Sequence, residues 1–262
     1  MPIEVLSRLI RHRRTVVLGA LAAVIAAAWA YLLLGAGINM EMTDMGGGQI
    51  MAMRPEWSPL YAVLIFTMWV VMMVAMMLPS AVPTVLLVSV LAWDRLPNSN
   101  FVPATAMMFA SGYFLVWIGF GLTATSLQWG LDKLGLLSET MALGNAILAS
   151  AVLIAAGVYQ WTPLKDTCLR HCRSPTEFLV RHWRQDTRGA LRTGVRHGLF
   201  CLGCCWMLMA LLFVGGLMNI AWIGAIALFV LWEKTMPWDG WVTRFTGLLL
   251  VVWGAASLLQ KI

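Results

Sequence analysis

The chain has 262 residues, 60% apolar and only 11% charged, with a formal net charge of +6. Soluble domains run at roughly 45–50% apolar and about 25% charged, so this composition excludes an ordinary water-soluble protein. The basic excess lies in short blocks beside long apolar runs, with no aromatic-interleaved groove. That placement excludes nucleic acid as a partner and points to the lipid bilayer.

A hydrocarbon core about 30 Å thick is crossed by roughly 20 apolar residues in a helix. Several such runs predict an all-α, polytopic transmembrane bundle of about seven helices, a single integral membrane domain over the whole chain. Alternating strands of the barrel type are absent. The first helix is expected over 16–34, preceded by Arg8, Arg11, Arg13 and Arg14 against Glu4. Positive charge resists translocation, so the amino terminus is placed in the cytoplasm. This start resembles a signal peptide, but it lacks a small-residue cleavage site and its apolar run is long, so a retained helix is expected.

An outer loop over 35–59 carries Glu41, Asp44 and Glu56 against Arg54, the Gly46-Gly47-Gly48 breaker, and Met40, Met42, Met45, Met51 and Met53. The apolar stretch 60–93 is too long for one simple span. Pro79 and Pro83 predict a helix to Leu78, then a kink and a continuing or re-entrant segment. After a turn at 94–100, helix three is expected over 103–126, an outer loop holds Asp132, Lys133 and Glu139, and helix four covers 141–161. Residues 162–197 form the long polar segment, with eight Lys/Arg against three acids. Its charge belongs in the cytoplasm, and four crossings from an inside start bring it there. The segment also predicts one short amphipathic interfacial helix over 174–188. Helix five follows at 198–217, a turn at Gly215, Gly216 and Asn219, helix six at 220–231 extended by Trp232 and Glu233, a polar turn over 234–244, and helix seven at 245–259.

The 18 methionines and five cysteines cluster. Met68, Met72 and Met76 recur every fourth residue and form one ridge of helix two, with Met73 and Met77 on a second ridge beside it. Thioether is a soft donor that selects Cu(I), and a ladder of weak ligands at one-turn spacing suits a permeating soft cation. The alternative is that these methionines are flexible core filler. Cys168, His171 and Cys172 lie in the basic segment. Cys201, Cys204 and Cys205 open helix five, and Cys201, Cys205 and Met209 again share a face. On the cytoplasmic side such thiols stay reduced, and with His171 and a nearby His197 they suit copper first and zinc second. The alternative is packing as small hydrophobes. The odd count and the lack of outer cysteines argue against a disulfide relay.

Glu233, an acid at a membrane boundary, is a further candidate ligand, set against pairing with Lys234 or Arg244. Asn145, Gln128, Tyr159 and Gln160 are expected to make helix–helix hydrogen bonds, and His12 and His182 to be solvated or lipid-facing. No catalytic constellation is present: there is no Ser/His/Asp set, phosphate-cradling glycine loop or paired-carboxylate site.

Four strings carry a resemblance: Met68-Trp69-Val70-Val71-Met72-Met73-Val74-Ala75-Met76-Met77-Leu78-Pro79; Gly157-Val158-Tyr159-Gln160-Trp161-Thr162-Pro163-Leu164-Lys165, continuing through Cys168-Leu169 to Cys172-Arg173-Ser174-Pro175; Gly203-Cys204-Cys205-Trp206-Met207-Leu208-Met209; and Glu233-Lys234. Together they resemble a bacterial family of predicted metal-binding integral membrane proteins with no settled activity. The resemblance runs from Met68 to Lys234 and implies a helical membrane protein with a metal site.

The expected function is therefore binding, with translocation open, of a soft metal ion, most readily Cu(I), in the bacterial inner membrane. The candidate ligands are Cys168, His171, Cys172, Cys201, Cys204, Cys205, Met209, Met68, Met72, Met76 and Glu233. The alternative is an accessory or structural subunit of a membrane-bound copper enzyme complex. Partners would then be that complex or a metal chaperone, and oligomerisation stays open. A redox copper enzyme fits less well, because such sites include imidazole and all four histidines are expected in loops or at helix ends.

Overall fold

The computed structural model describes residues 3–36, 41–44, 50–53, 56–95, 101–182, 186–236 and 240–260. It is all-helical apart from one short ribbon. Helix α1 (Ile3–Leu33) leads into strands β1 (Glu41–Asp44) and β2 (Ile50–Met53), which pair antiparallel with Glu41 opposite Met53. The ribbon falls in the methionine-rich loop. Met40, Met45 and the three glycines between the strands lie outside the described residues, as do the side chains of Met42, Met51, Met53, His12 and His182.

Helix α2 (Pro59–Arg95) runs unbroken for 37 residues through Pro79 and Pro83, so the second half of this stretch continues the helix and is not re-entrant. A proline inside a helix removes one backbone donor and pushes on the carbonyl four residues back. Hydroxyl groups gather at this turn: Ser80 Oγ donates to the Met77 carbonyl at 2.8 Å and Tyr113 OH to the same oxygen at 3.1 Å.

Helix α3 (Phe101–Lys133) extends beyond the expected 103–126, so Asp132 and Lys133 end the helix and are not loop residues. Asp132 accepts a hydrogen bond from Trp57 Nε1 at 2.6 Å, which ties that end to the start of α2. Helix α4 (Ala146–Tyr159) starts at Asn145, whose side chain accepts from the amides of Ile147 and Leu148. Asn145 is thus an N-cap, and among the described residues no interhelical bond from it is seen. Gln128 does bridge helices, accepting from Trp69 Nε1 at 2.8 Å.

Three departures from expectation reshape the polar segment. An unexpected helix, α5 (Pro163–Arg173), precedes the stretch 174–188 expected to form one helix, and within that stretch stands the shorter α6 (Pro175–His182); Pro175 separates the two by disfavouring helical backbone at Ser174. Helix α7 (Thr187–Ala210) begins a full three turns before 198, drawing Arg188, Arg192 and Arg196 into the helix. His197 therefore lies inside a helix and is buried, not at a helix end. Helices α8 (Leu212–Gly215), α9 (Ile220–Thr235) and α10 (Trp241–Leu259) complete the chain.

Among the described residues, five helices are long and apolar enough to cross a membrane: the apolar parts of α1, α2, α3, α7 and α10. The bent pair α4–α5, broken by 65°, brings the number to six, where seven were expected. The seventh, α9, has 16 residues, about 24 Å at 1.5 Å per residue, short of a core about 30 Å thick. Apolar side chains face outward along these helices, including Leu60 and Leu122 at 71% and 60% exposure.

Close approach of α3 and α7 sets the geometry of the interior. A Cβ at Gly194 would collide with the Phe109 carbonyl, and one at Gly112 with the Leu191 carbonyl. Small residues let two backbones meet without a side chain between them. This contact presses Tyr113 against the α7 face that carries the cysteines. Helices α4 and α10 pair in the same way through Gly157, Gly247 and Gly254.

Candidate metal centre

Helix α5 starts on Thr162, whose side chain accepts from the Lys165 amide, with Pro163 as the first helical residue. Both features favour an N-terminus at this point, and they fix the turn on which Cys168 and Cys172 follow. Opposite them, Gly203 admits the neighbouring helix: a Cβ there would stand 2.7 Å from Cys168 Sγ. Tyr159 OH donates to the Gly203 carbonyl, pinning α4 to the same turn of α7.

On α7, Cys201, Cys204 and Cys205 are all buried, and among the described residues none forms a disulfide. Cys172 Sγ of α5 lies 3.9 Å from Cys204 Sγ, and Cys205 Sγ lies 3.8 Å from Met77 Sδ of α2. With metal–sulfur bonds of about 2.3 Å, two sulfurs sharing one tetrahedral ion stand about 3.8 Å apart. Three helices therefore bring soft donors to the separations that a bound ion would require.

Helix α9 contributes a cation to the same cluster. Lys234 Nζ lies 3.0 Å from Cys201 Sγ, 3.3 Å from Ser80 Oγ, 3.7 Å from Met77 Sδ and 3.9 Å from Cys205 Sγ. Tyr113 OH lies 3.2 Å from Cys201 Sγ. A buried ammonium needs a counter-charge, and sulfurs able to carry one surround it. One turn before Cys201 comes His197, its ring packed by Phe109, Tyr113 and Phe178. Among the described residues its buried Nδ1 has no hydrogen-bond partner.

Among the described residues, no group of three or more His, Cys, Asp or Glu side chains is already arranged to hold a metal ion. Cys204 and Cys205 both direct their S–H groups at the Cys201 carbonyl, at 3.1 and 2.9 Å. Metal binding by these residues as thiolates requires those S–H bonds to be given up.

The sequence candidates other than Glu233 separate into three groups. Cys172, Cys201, Cys204 and Cys205 come together, as expected. Cys168 packs on Gly203 at the edge. His171 turns Nδ1 to the Thr167 carbonyl at 2.8 Å, and its ring stacks on Phe200 with centroids 4.2 Å apart. Met68, Met72, Met76 and Met209 are buried in the core; Met76 lines a separate apolar cavity with Trp29 and Pro79. It is Met77, from the second ridge, that meets the thiols.

Glu233 pairs with neither Lys234 nor Arg244. Its Oε2 accepts from Lys165 Nζ at 2.8 Å, with both side chains almost wholly buried. Arg173 Nε donates to the Glu233 carbonyl at 2.8 Å. Reading the sequence by turns missed Tyr113, Ser80 and Lys234 as companions of the cysteines. The signal for Lys234 was present: a lysine beside an acid at the end of an apolar helix.

The copper chaperone family PpoB2 matches residues 66–257. The chain belongs to this family. The matched region takes in every helix that contributes to the sulfur cluster, from Met77 of α2 to Lys234 of α9. It leaves out α1 and the methionine-rich ribbon. No curated protein and no solved structure matches the chain.

Proposed function

We propose that the protein holds Cu(I) within a bacterial inner membrane and hands it on, with Met77, Cys172, Cys201, Cys204 and Cys205 as the ligand set. The observation that carries this reading is the convergence of thiols from α5 and α7 with a thioether from α2, in a buried space. Soft donors of this kind select Cu(I) over hard cations, and the copper chaperone family supports the metal's identity. The apolar outward faces of the long helices support a membrane setting.

Charge balance follows from the chemistry of binding. A thiol that binds as thiolate gives up its proton, so with two of the four cysteines as thiolates and the others remaining protonated, one Cu(I) ion displaces two protons and the complex carries a charge of −1. The Lys234 ammonium brings the buried site to neutrality, which a low-dielectric interior requires. Ligand exchange with a soft-donor partner then moves the metal without a change of oxidation state. His197 supplies a further lone pair one turn away.

The test is anaerobic Cu(I) titration of the purified chain against a chromophoric Cu(I) chelator. A Cys204→Ser, Cys205→Ser variant should lose most of its copper while remaining folded and inserted, because hydroxyl is a poor Cu(I) ligand. Met77→Leu should weaken binding at nearly constant volume, since such swaps usually cost under about 1.5 kcal/mol. Met72→Leu, Met76→Leu should leave binding unchanged if the first ridge is packing. A fall in copper uptake in that variant would instead favour translocation along α2. Full copper occupancy in the double-serine variant would rule out the thiol site.

The orientation proposed with this reading places the amino terminus and the α5–α6 segment in the cytoplasm, where the basic residues concentrate. Val180 is 85% exposed on α6. A Val180→Cys variant should react with an impermeant thiol reagent only from the cytoplasmic side, and labelling from outside in intact cells would invert the arrangement.

A further inference from the structure

The sulfurs of the cluster are not equally reachable. Met77, Cys201, Cys204 and Cys205 are 0%, 2%, 1% and 1% exposed, whereas Cys172 is half-buried. It stands in the last turn of α5, and residues 171–175, around the break between α5 and α6, are all half-buried. The neighbouring thiol gives no second opening. Cys168 is 7% exposed, and its Sγ packs where Gly203 leaves room for it.

The half-buried thiol also touches the interior. Cys172 Sγ meets Cys204 Sγ at 3.9 Å across two helices. Cys204 and Cys205 meet at the Cys201 carbonyl, and Cys205 Sγ meets Met77 Sδ at 3.8 Å. Sulfur contacts therefore lead from the α5–α6 break to the deepest ligand. Arg173, next to Cys172, donates to the Glu233 carbonyl at 2.8 Å, which ties the end of α5 to the helix that carries Lys234. A bare ion is costly in a low-dielectric interior, so a metal held here moves only from one ligand to the next. The outermost ligand is the one an incoming donor can meet.

We propose that Cys172 is the exchange ligand of the cluster, through which Cu(I) passes between the buried sulfurs and a thiolate-bearing carrier that reaches it at the α5–α6 break. This inference rests on the Cu(I) reading above and adds the route of entry and exit. In uptake the carrier presents Cu(I) between two thiolates, a complex of charge −1. The Cys172 sulfur bonds to the ion, one carrier sulfur leaves, and the Cys172 proton goes to that leaving thiolate. Cys204 repeats the step. It gives up its S–H bond to the Cys201 carbonyl, and its proton goes to the second carrier thiolate. Each step forms one Cu–S bond and breaks one, and copper stays Cu(I) throughout. The charge of −1 is carried in with the metal, to where Lys234 balances it. Release is the same sequence in reverse.

The experiment uses the full chain in neutral detergent without oxygen. The bis-glutathione complex of Cu(I) is the donor and a chromophoric Cu(I) chelator the acceptor. Stopped-flow transfer rates and equilibrium affinities are measured for the unmodified chain, Cys172→Ser, Cys172→Ala and Cys205→Ser. Both Cys172 variants should slow transfer in each direction about tenfold or more, with affinity kept within about threefold by the remaining sulfurs. Cys205→Ser should show the opposite split, a weaker affinity with a nearly unchanged entry rate. The metal-free, unmodified chain gives a readout that needs neither copper nor a variant. N-ethylmaleimide should alkylate Cys172 before the other cysteines, as mapped by peptide mass spectrometry. Transfer rates unchanged in both Cys172 variants, affinity lost in step with rate, or first alkylation at another cysteine would overturn the proposal. An unmodified chain that takes up no Cu(I) would end the Cu(I) reading and this inference with it. Normal Cu(I) binding with exchange independent of Cys172 would end this inference alone.

Discussion

Replacing Glu233 with Ala should destabilise the protein by about 3–5 kcal/mol, the usual cost of stranding one partner of a buried ion pair. Lys165 Nζ would lose its carboxylate while its side chain stays 1% exposed. At roughly 2–4 °C per kcal/mol for a chain of this size, the melting temperature should fall by roughly 6–20 °C. The double variant Glu233→Leu, Lys165→Met removes both charges together and should recover much of the loss, since a buried pair is often replaceable by apolar groups. The pair joins α5 to α9 and so sets where Cys172 and Lys234 stand relative to each other. Copper binding should therefore fall with stability in the single variant and return in the double. If Glu233 ligates copper, Glu233→Ala would instead lose metal with its melting temperature unchanged, and the double variant would recover nothing.

The second large effect is expected at Lys234. Lys234→Met keeps the length of the side chain and adds a soft donor, but it removes the positive charge 3.0 Å from Cys201 Sγ. Two thiolates and one Cu(I) ion would then leave an uncompensated negative charge in the interior. Truncating one partner of a buried charge pair costs about 2–5 kcal/mol, so Cu(I) affinity by chelator competition should fall about thirtyfold or more. Lys234→Arg should retain part of it. A rise in affinity on Lys234→Met would mean that the ammonium competes with copper for the sulfurs and does not balance their charge.

These two residues mark the border of what the sequence reveals. Composition and run length alone determine an all-helical chain with several helices fit to cross a membrane, because apolar runs of that length have few other stable forms. Residue type alone singles out the cysteines, since thiols are scarce and soft. The four-residue period correctly put Cys201 and Cys205 on one face, because that face is a local property of the helix. The same period could not choose between the two methionine ridges of α2. Which ridge faces the thiols depends on how α2 is rotated against α7, and that rotation is set by neighbours far away in the chain.

Tertiary structure decided the rest. Pro163 and the cap on Thr162 end α4 early and bend the chain by 65°, so that α4 and α5 form a broken pair in place of one simple span. Gly112 and Gly194 let α3 close on α7, bringing Tyr113 to Cys201 across 88 positions of sequence. Lys165 reaches Glu233 across 68 positions and Lys234 reaches Met77 across 157, pairings that no local period encodes. Sequence determines which side chains can bind a soft ion or must be shielded from lipid. Only the packed helices determine which of them meet, because the energy that selects partners at such distances comes from burying charge and backbone together.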